Sequence, residues 1–176
     1  RNHAETTRNQ TMSTRPATYT RSAFFDDIVR LLRAELPDEL KQFQVRNHGY
    51  LIKLSYGNER VHFEVWVDSI RSQIEIGLDF EDGAESTAAY LAFFDRRIVE
   101  IKERTGPTLE LERWTKTWGH FVEVHPIEPF DRETALLIGG RMVVIISVLQ
   151  PLVAEAAIPP GARRTFDRPY WRHKRR

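Results

Sequence analysis

Four polar residues on two predicted strands have the chemistry of a metal site. His62 and Glu64 are separated by one residue on the first of these strands, and Glu75 and Asp79 lie on the next. Residues two or four apart on a strand point to one face, and an imidazole with carboxylates suits Zn²⁺, Mn²⁺ or Fe²⁺. The spacing matches no established ligand motif, however, and a solvated sheet face shows the same alternation. The sequence therefore favours a solvated face without a metal ion, and this cluster is the alternative.

Two histidines near the end of a later predicted strand have the chemistry of a general base near neutral pH. His120 and His125 flank Glu123. Their odd separation puts them on opposite faces of a regular strand, which disfavours a shared role. Nucleophile elbows, phosphate loops, dinucleotide-binding glycine patterns and the two-metal nuclease spacing do not occur in the sequence. We therefore predict no catalytic residue and no cofactor, and the enzyme question stays open with a non-enzyme favoured.

The end of the chain is basic and rich in aromatic residues. Residues 159–176 carry 7 Lys or Arg against 1 Asp, whereas residues 23–158 carry 15 Lys or Arg against 23 Asp or Glu. Aromatic rings between guanidinium groups can stack on unpaired bases while the charges neutralise phosphates. The candidate nucleic-acid-binding residues are Arg163, Arg164, Phe166, Arg168, Tyr170, Trp171, Arg172, Lys174, Arg175 and Arg176. A solvated tail, or one that docks on the acidic body or on a protein partner, is the alternative.

Three tryptophans are candidate interface residues. Trp66 alternates with His62 and Glu64 on its strand, while Trp114 and Trp118 flank a predicted turn. Exposed tryptophans on a sheet face mark a dimer interface or a ligand cleft. Burial in the core is the ordinary alternative.

Hydrophobic periodicity predicts the elements that position these residues. Ser22 would cap a first helix, which would end before Pro37. Period-two alternation then predicts three strands, at residues 50–56, 61–68 and 73–80. One helix should follow, ending at Gly106-Pro107, and a hairpin around residues 115–117 comes next.

The final apolar segment, residues 133–155, has three interpretations. A buried helix capped by Asp131 is favoured by length and cap. A cluster of β-branched residues at positions 143–146 leaves a β-strand as an alternative. A membrane span is disfavoured because Arg141 and Pro151 interrupt the apolar stretch, and we expect no membrane partner.

The element order α-β-β-β-α-β-β-α predicts an α+β fold. We expect a two-layer sandwich in which an antiparallel sheet of about five strands carries helices on one face. The predicted organisation is a disordered N-terminal segment at residues 1–21, a single domain at 22–158 and a disordered basic tail at 159–176. Met12 is an alternative native start.

Composition bounds the cellular setting. The chain has no cysteine, which excludes disulfides and thiolate chemistry. Its N-terminus shows no secretory-signal pattern, so we predict a cytoplasmic protein. Arg outnumbers Lys 21 to 5, which indicates a bacterial origin.

Three segments between residues 61 and 153 give the chain a resemblance to other proteins. They are Ile74–Phe80, Leu109–Trp114 and Leu149–Val153. In these segments the sequence resembles bacterial domains of unknown function, some of which occur beside restriction-type nuclease modules. The resemblance implies an accessory or interaction role and transfers no functional residue.

Three functional hypotheses follow. The first is a non-enzymatic interaction module that binds a second copy or another protein through the sheet face or the final helix. The second is a nucleic-acid-associated protein that uses the basic tail. The third is a small-molecule pocket between the sheet and the final helix, near Gly139-Gly140.

Overall fold

The computed structural model describes residues 19–161, so the predicted terminal segments lie almost entirely outside the described residues. Within that range the helices are α1 (Arg21–Glu35), α2 (Ala84–Asp95), α3 (Ile98–Thr105) and α4 (Arg132–Ala156). The strands are β1 (Gln44–Asn47), β2 (Leu51–Ser55), β3 (Val61–Asp68), β4 (Gln73–Phe80), β5 (Glu110–Arg113) and β6 (Gly119–Pro126). A 3₁₀ turn, Asp38–Leu40, joins α1 to β1.

The six described strands form one antiparallel sheet in the order β1-β2-β3-β4-β6-β5. Strands β1 to β4 pair as chain neighbours, and α2 and α3 then carry the chain to the far edge, where β5 forms. Strand β6 returns between β5 and β4. The predicted α+β fold of two layers is confirmed.

The sheet has one strand more than the roughly five that were expected. Strand β1 is four residues long, largely exposed, and pairs only with β2 at the sheet edge. Apolar alternation does not reveal it, because a short edge strand needs few buried residues and is protected from aggregation by polar ones.

The first helix begins earlier than its predicted cap. Thr20, with an extended backbone, accepts a hydrogen bond from the amide of Ala23 at 3.2 Å, so Thr20 rather than Ser22 caps α1. The helix ends as predicted, because Leu36 is extended before Pro37. Phe24, Ile28 and other residues of its apolar stripe are fully buried.

The prediction of a single helix after β4 is wrong, because the structure divides this segment into α2 and α3. The amide of Arg97 bonds the carbonyl of Phe94 at 2.9 Å, a tight turn that ends α2. The Arg97 guanidinium lies 3.9 Å from the ring centre of Phe93 and donates to Glu155 at 2.7 Å. These contacts tie the break to the C-terminal end of α4.

The final apolar segment is a helix, as favoured. Asp131 caps it by accepting from the amide of Thr134 at 2.9 Å. By length and composition alone α4 could cross a membrane, but 44% of its most apolar 18-residue window is buried inside the protein. Ile138, Met142 and Ile145 are fully buried in the core, and this burial accounts for part of the apolar composition.

The two long helices pack closely where α4 contains glycine. A Cβ on Gly139 would lie 2.7 Å from Cδ2 of Leu31 on α1, whereas a Cβ on Gly140 would meet no atom within 4 Å. The missing side chain of Gly139 therefore makes room for Leu31. The small-molecule pocket predicted at these glycines gains no support from this geometry.

Candidate functional site

A row of polar residues crosses the sheet on the face turned away from the helices. Residues paired directly across antiparallel strands share a face. The register gives four direct pairs: Ser55–His62, His62–Asp79, Asp79–His120 and His120–Glu112. The alternating positions on these strands hold core residues such as Phe63, Leu78 and Phe121. We call the five polar residues the polar row, which spans β2 to β5.

A groove of about 620 Å³ lies on this face of the sheet, and Ser55, Asp79 and His120 of the polar row line it. Its lining comes from the β1–β2 hairpin at one edge of the sheet, from β3 and β4 in the middle, and from the β5–β6 turn at the other edge. Among the described residues, its carboxyl groups belong to Glu59, Glu64, Glu75, Asp79 and Glu81, and its Lys and Arg side chains to Arg46, Lys53 and Arg60. The groove is therefore acidic and crosses most of the sheet.

Gly77 gives the groove a bare stretch of floor. It pairs with Glu64 on β3 and with Val122 on β6. A Cβ on Gly77 would lie 1.8 Å from the carbonyl oxygen of Phe121, so β4 and β6 approach each other at this point more closely than a side chain allows.

His62, Glu64 and Asp79 converge on this face of the sheet, where Glu64 and Asp79 line the groove and His62 is buried beside them. Nε2 of His62 lies 3.6 Å from Oε2 of Glu64 and 3.8 Å from Oδ2 of Asp79. The ligand atoms of these three residues all lie within 4.8 Å of one another. Nδ1 of His62 lies 2.9 Å from the carbonyl oxygen of Glu59. A carbonyl only accepts, so Nδ1 carries a proton, and in the neutral ring Nε2 then faces the carboxylates with its lone pair.

Glu75, the fourth residue of the predicted metal cluster, lies elsewhere. It pairs with Trp66, which lies four residues along β3 from His62. Its carboxylate accepts from Gln73 at 2.7 Å and from Arg71 at 3.2 Å. The structure therefore brings together three of the four predicted residues.

His120 joins the same group from the other side of β4. Its Nδ1 lies 3.3 Å from Oδ1 of Asp79, and its Nε2 lies 3.7 Å from Oε2 of Glu112. Burial would lower the pKa of His120, but Asp79 and Glu112 outweigh it and raise that pKa above its usual value. Burial, with the charge of Glu64, also raises the pKa of Asp79. The raised pKa of His120, and the part of the Asp79 shift that Glu64 causes, reflect the negative charge at this end of the groove.

The cations near the cluster already have partners. Lys53 donates to Glu81 at 3.0 Å and lies 3.8 Å from Glu64. Burial opposes the charge of Lys53, yet the two carboxylates raise its pKa. Arg46 is paired with Glu59. Sequence spacing did not associate Lys53 or His120 with the cluster, because that association depends on which strands are neighbours.

The three candidate interface tryptophans all line the groove. Trp114 and Trp118 flank the β5–β6 turn as predicted, and their rings stack with centres 5.5 Å apart and planes 16° apart. The ring of Trp114 also lies 4.7 Å from that of His120. Trp66 stands between Leu51 and Glu75 on the same face. An aromatic wall therefore adjoins the acidic floor.

His120 and His125 lie on opposite faces of β6, as predicted. His125 pairs with the core residue Ile74 and contacts Glu123 at 2.7 Å on the helix-covered face. The two histidines therefore belong to separate networks and share no site.

The predicted nucleic-acid-binding residues, Arg163 to Arg176, lie outside the described residues. The last described residue, Gly161, donates its amide hydrogen to Oδ2 of Asp82 at 2.9 Å. Asp82 also forms an ion pair of 3.5 Å with Arg60, which lines the groove. Gly161 is therefore linked through Asp82 to Arg60, a residue that lines the groove.

Comparison of the sequence with protein-family models and with curated proteins finds no match. The resemblance to domains found beside nuclease modules therefore stays a prediction.

Proposed function

We propose that this protein is a non-enzymatic binding module that holds a basic, aromatic protein segment on the open face of its sheet. The groove over the polar row carries this proposal, because its volume of about 620 Å³ falls in the range of ligand-binding clefts. The segment that fits it is defined by charge and by aromatic content.

The charge of the groove favours a cationic occupant. Its Lys and Arg side chains are engaged with carboxylates, as in the pairs Lys53–Glu81 and Arg60–Asp82. Glu64 and Asp79 stand at the floor with histidine neighbours. A Lys or Arg side chain entering the groove would meet these carboxylates, and complementary charge speeds and orients association.

The aromatic residues favour the same occupant. Trp66, Trp114 and Trp118 line the groove. Guanidinium and ammonium groups are attracted to the faces of indole rings, and aromatic side chains add apolar contact area. A segment that alternates Arg or Lys with Phe, Tyr or Trp would use both the acidic floor and the aromatic wall.

This chain contains a segment of that composition. Residues 162–176 include 7 Lys or Arg residues together with Phe166, Tyr170 and Trp171. They follow Gly161, which is linked through Asp82 to the groove-lining Arg60. A second copy of this chain would therefore supply a suitable partner, which agrees with the predicted self-association through the sheet face.

Fluorescence anisotropy of a labelled peptide with the sequence of residues 162–176 tests the proposal. The peptide should bind a chain ending at Gly161, which retains all the core residues. Glu64→Gln and added salt should each weaken binding several-fold, because both remove electrostatic attraction. Glu103→Gln on the exposed side of α3 is the matched control and should leave binding unchanged. Equal affinity of the Glu64 variant and the parent would sink the proposal.

The charge of residues 159–176 favours nucleic acid as a second candidate partner. Their 7 Lys or Arg against 1 Asp would neutralise phosphates in a salt-dependent manner. Labelled single-stranded and duplex oligonucleotides should then bind the full chain, and binding should weaken without these residues. Equal nucleic-acid affinity with and without residues 159–176 would exclude this candidate.

A further inference from the structure

Beside the groove, Nε2 of His62 is buried and faces two carboxylates at distances longer than a hydrogen bond. Three acceptor atoms, from His62, Glu64 and Asp79, converge within 4.8 Å. Acceptors repel one another unless a positive charge lies between them. The arrangement therefore calls for a cation.

His62 is fixed in the orientation that a metal ligand requires. Its side chain is fully buried, and Nδ1 donates to the carbonyl of Glu59 at 2.9 Å. Nε2 is buried and has no hydrogen-bond partner among the described residues. Metal-bound histidines typically use their second ring nitrogen in this way, to donate to a carbonyl or a carboxylate.

The spacing suits a metal ion better than a proton. The distances from Nε2 to Glu64 and Asp79, 3.6 and 3.8 Å, are too long for hydrogen bonds. Ligand atoms about 2.1 Å from a tetrahedral metal ion lie about 3.4 Å from one another. Small side-chain movements would therefore complete a coordination sphere.

The surrounding residues support the ligands. His120 holds the second carboxylate oxygen of Asp79, with 3.3 Å between Nδ1 and Oδ1. Lys53 lies 3.8 Å from Oε2 of Glu64 but donates to Glu81 at 3.0 Å, so Glu64 keeps its coordinating capacity. Outer contacts of this kind orient metal ligands.

We propose that His62, Glu64 and Asp79 bind a first-row divalent metal ion of the Zn²⁺ or Mn²⁺ class at the floor of the groove. An imidazole with two carboxylates favours these ions over Mg²⁺ and Ca²⁺, which prefer oxygen ligands only. Three protein ligands leave at least one coordination position open toward the groove.

This site goes beyond the proposed function. A bound divalent ion neutralises Glu64 and Asp79, the carboxylates that would attract a basic segment. Metal ion and basic segment therefore compete, and the ion should weaken peptide binding to the groove. The two proposals can fail separately, because each has its own readout: ion titration measures metal binding, and peptide anisotropy in metal-free buffer measures peptide binding.

Isothermal titration of the chelator-treated full chain with ZnCl₂ and with MnCl₂ tests the site. One ion per chain should bind at the cluster, and Asp79→Asn or Glu64→Gln should weaken that binding more than tenfold. Glu75→Gln is the matched control, since Glu75 lies on the same sheet face but bonds Arg71 and Gln73. It should bind Zn²⁺ as the parent does. MgCl₂ should give no comparable binding.

A stability measurement keeps the test decisive if one variant folds poorly. Zn²⁺ should raise the unfolding temperature of the parent and of Glu75→Gln, because an ion that binds the folded state stabilises it. The rise should be clearly smaller for Glu64→Gln, an isosteric change of a side chain that is 16% exposed. Equal Zn²⁺ binding by parent, Asp79→Asn and Glu64→Gln would overturn the proposal, as would no binding of either ion at millimolar concentration. Equal binding would assign the ion to other histidines of the chain.

Discussion

Glu123 of β6 and Arg141 of α4 form a double contact that ties the sheet to the final helix. Nε of Arg141 donates to Oε1 at 2.9 Å and Nη2 donates to Oε2 at 2.6 Å. The Glu123 side chain is only 3% exposed and also accepts from the hydroxyl of Thr108 at 2.8 Å. The single charged residue within the apolar stretch of α4 is thus paired on the helix-covered face of the sheet.

Replacing Glu123 by Gln should destabilise the fold by about 1.5–3 kcal/mol, because the charge-assisted hydrogen bonds between its buried carboxylate and Arg141 are weakened. The free energy of unfolding in urea measures this loss. Glu103→Gln, an exposed change on α3, should stay within about 0.5 kcal/mol of the parent. A Glu123 variant as stable as the Glu103 variant would contradict the assigned role.

The same carboxylate should make the fold sensitive to acid. Burial would raise the pKa of Glu123, but hydrogen bonds from Arg141, Thr108 and His125 lower it from 4.5 to about 2. Because the folded-state pKa is lowered, the stabilisation is complete above pH 4.5 and is lost as the pH falls toward 2. Unfolding free energies at pH 6, 4 and 2.5 should fall less steeply for Glu123→Gln than for the parent. Parallel curves would exclude Glu123 as a source of acid sensitivity.

The two adjacent glycines of α4 should respond oppositely to substitution. Gly140→Ala should stabilise the protein by about 0.5–1 kcal/mol, since alanine favours the helix and a Cβ there meets no atom within 4 Å. Gly139→Leu should cost about 1–3 kcal/mol, because its side chain would displace Leu31 of α1. Thermal and urea unfolding compare the two variants. Stabilisation by Gly139→Leu would show that there is unfilled space beside this residue, and would support the predicted small-molecule pocket.

Local sequence patterns predicted much of the fold because they record which face of each element is buried. Alternation placed His62, Glu64 and Trp66 on one face of β3, and Asp131 marked the start of α4. The same alternation also grouped Glu75 with the cluster. A period of two gives the face of a strand on which a residue lies, but not which residue lies opposite it on the neighbouring strand. That pairing depends on register between strands, which tertiary packing sets.

The order of strands explains the remaining differences. His120 faces Asp79 only because β6, rather than β5, pairs with β4. Nothing in the residues around His120 specifies that neighbour, so the sequence could place this histidine on a face but not beside a partner. The contact between Glu123 and Arg141 depends in the same way on how α4 lies across the sheet.

His120 should act as a positioning residue for the proposed metal site, because its Nδ1 lies 3.3 Å from the carboxylate oxygen of Asp79 that faces away from His62. His120→Phe removes that donor and should lower Zn²⁺ affinity about tenfold, the usual effect of losing an outer contact to a ligand. His120→Asn restores an N–H near the position of Nδ1 and should bind Zn²⁺ nearly as tightly as the parent. His125→Asn, on the opposite face of β6, is the matched control and should leave affinity unchanged.

Titration of the metal-free full-length variants with ZnCl₂ separates this role from a purely structural one, which would change unfolding temperature without changing affinity. Undiminished Zn²⁺ affinity in His120→Phe would mean that Asp79 is oriented by its own strand and needs no support from β6.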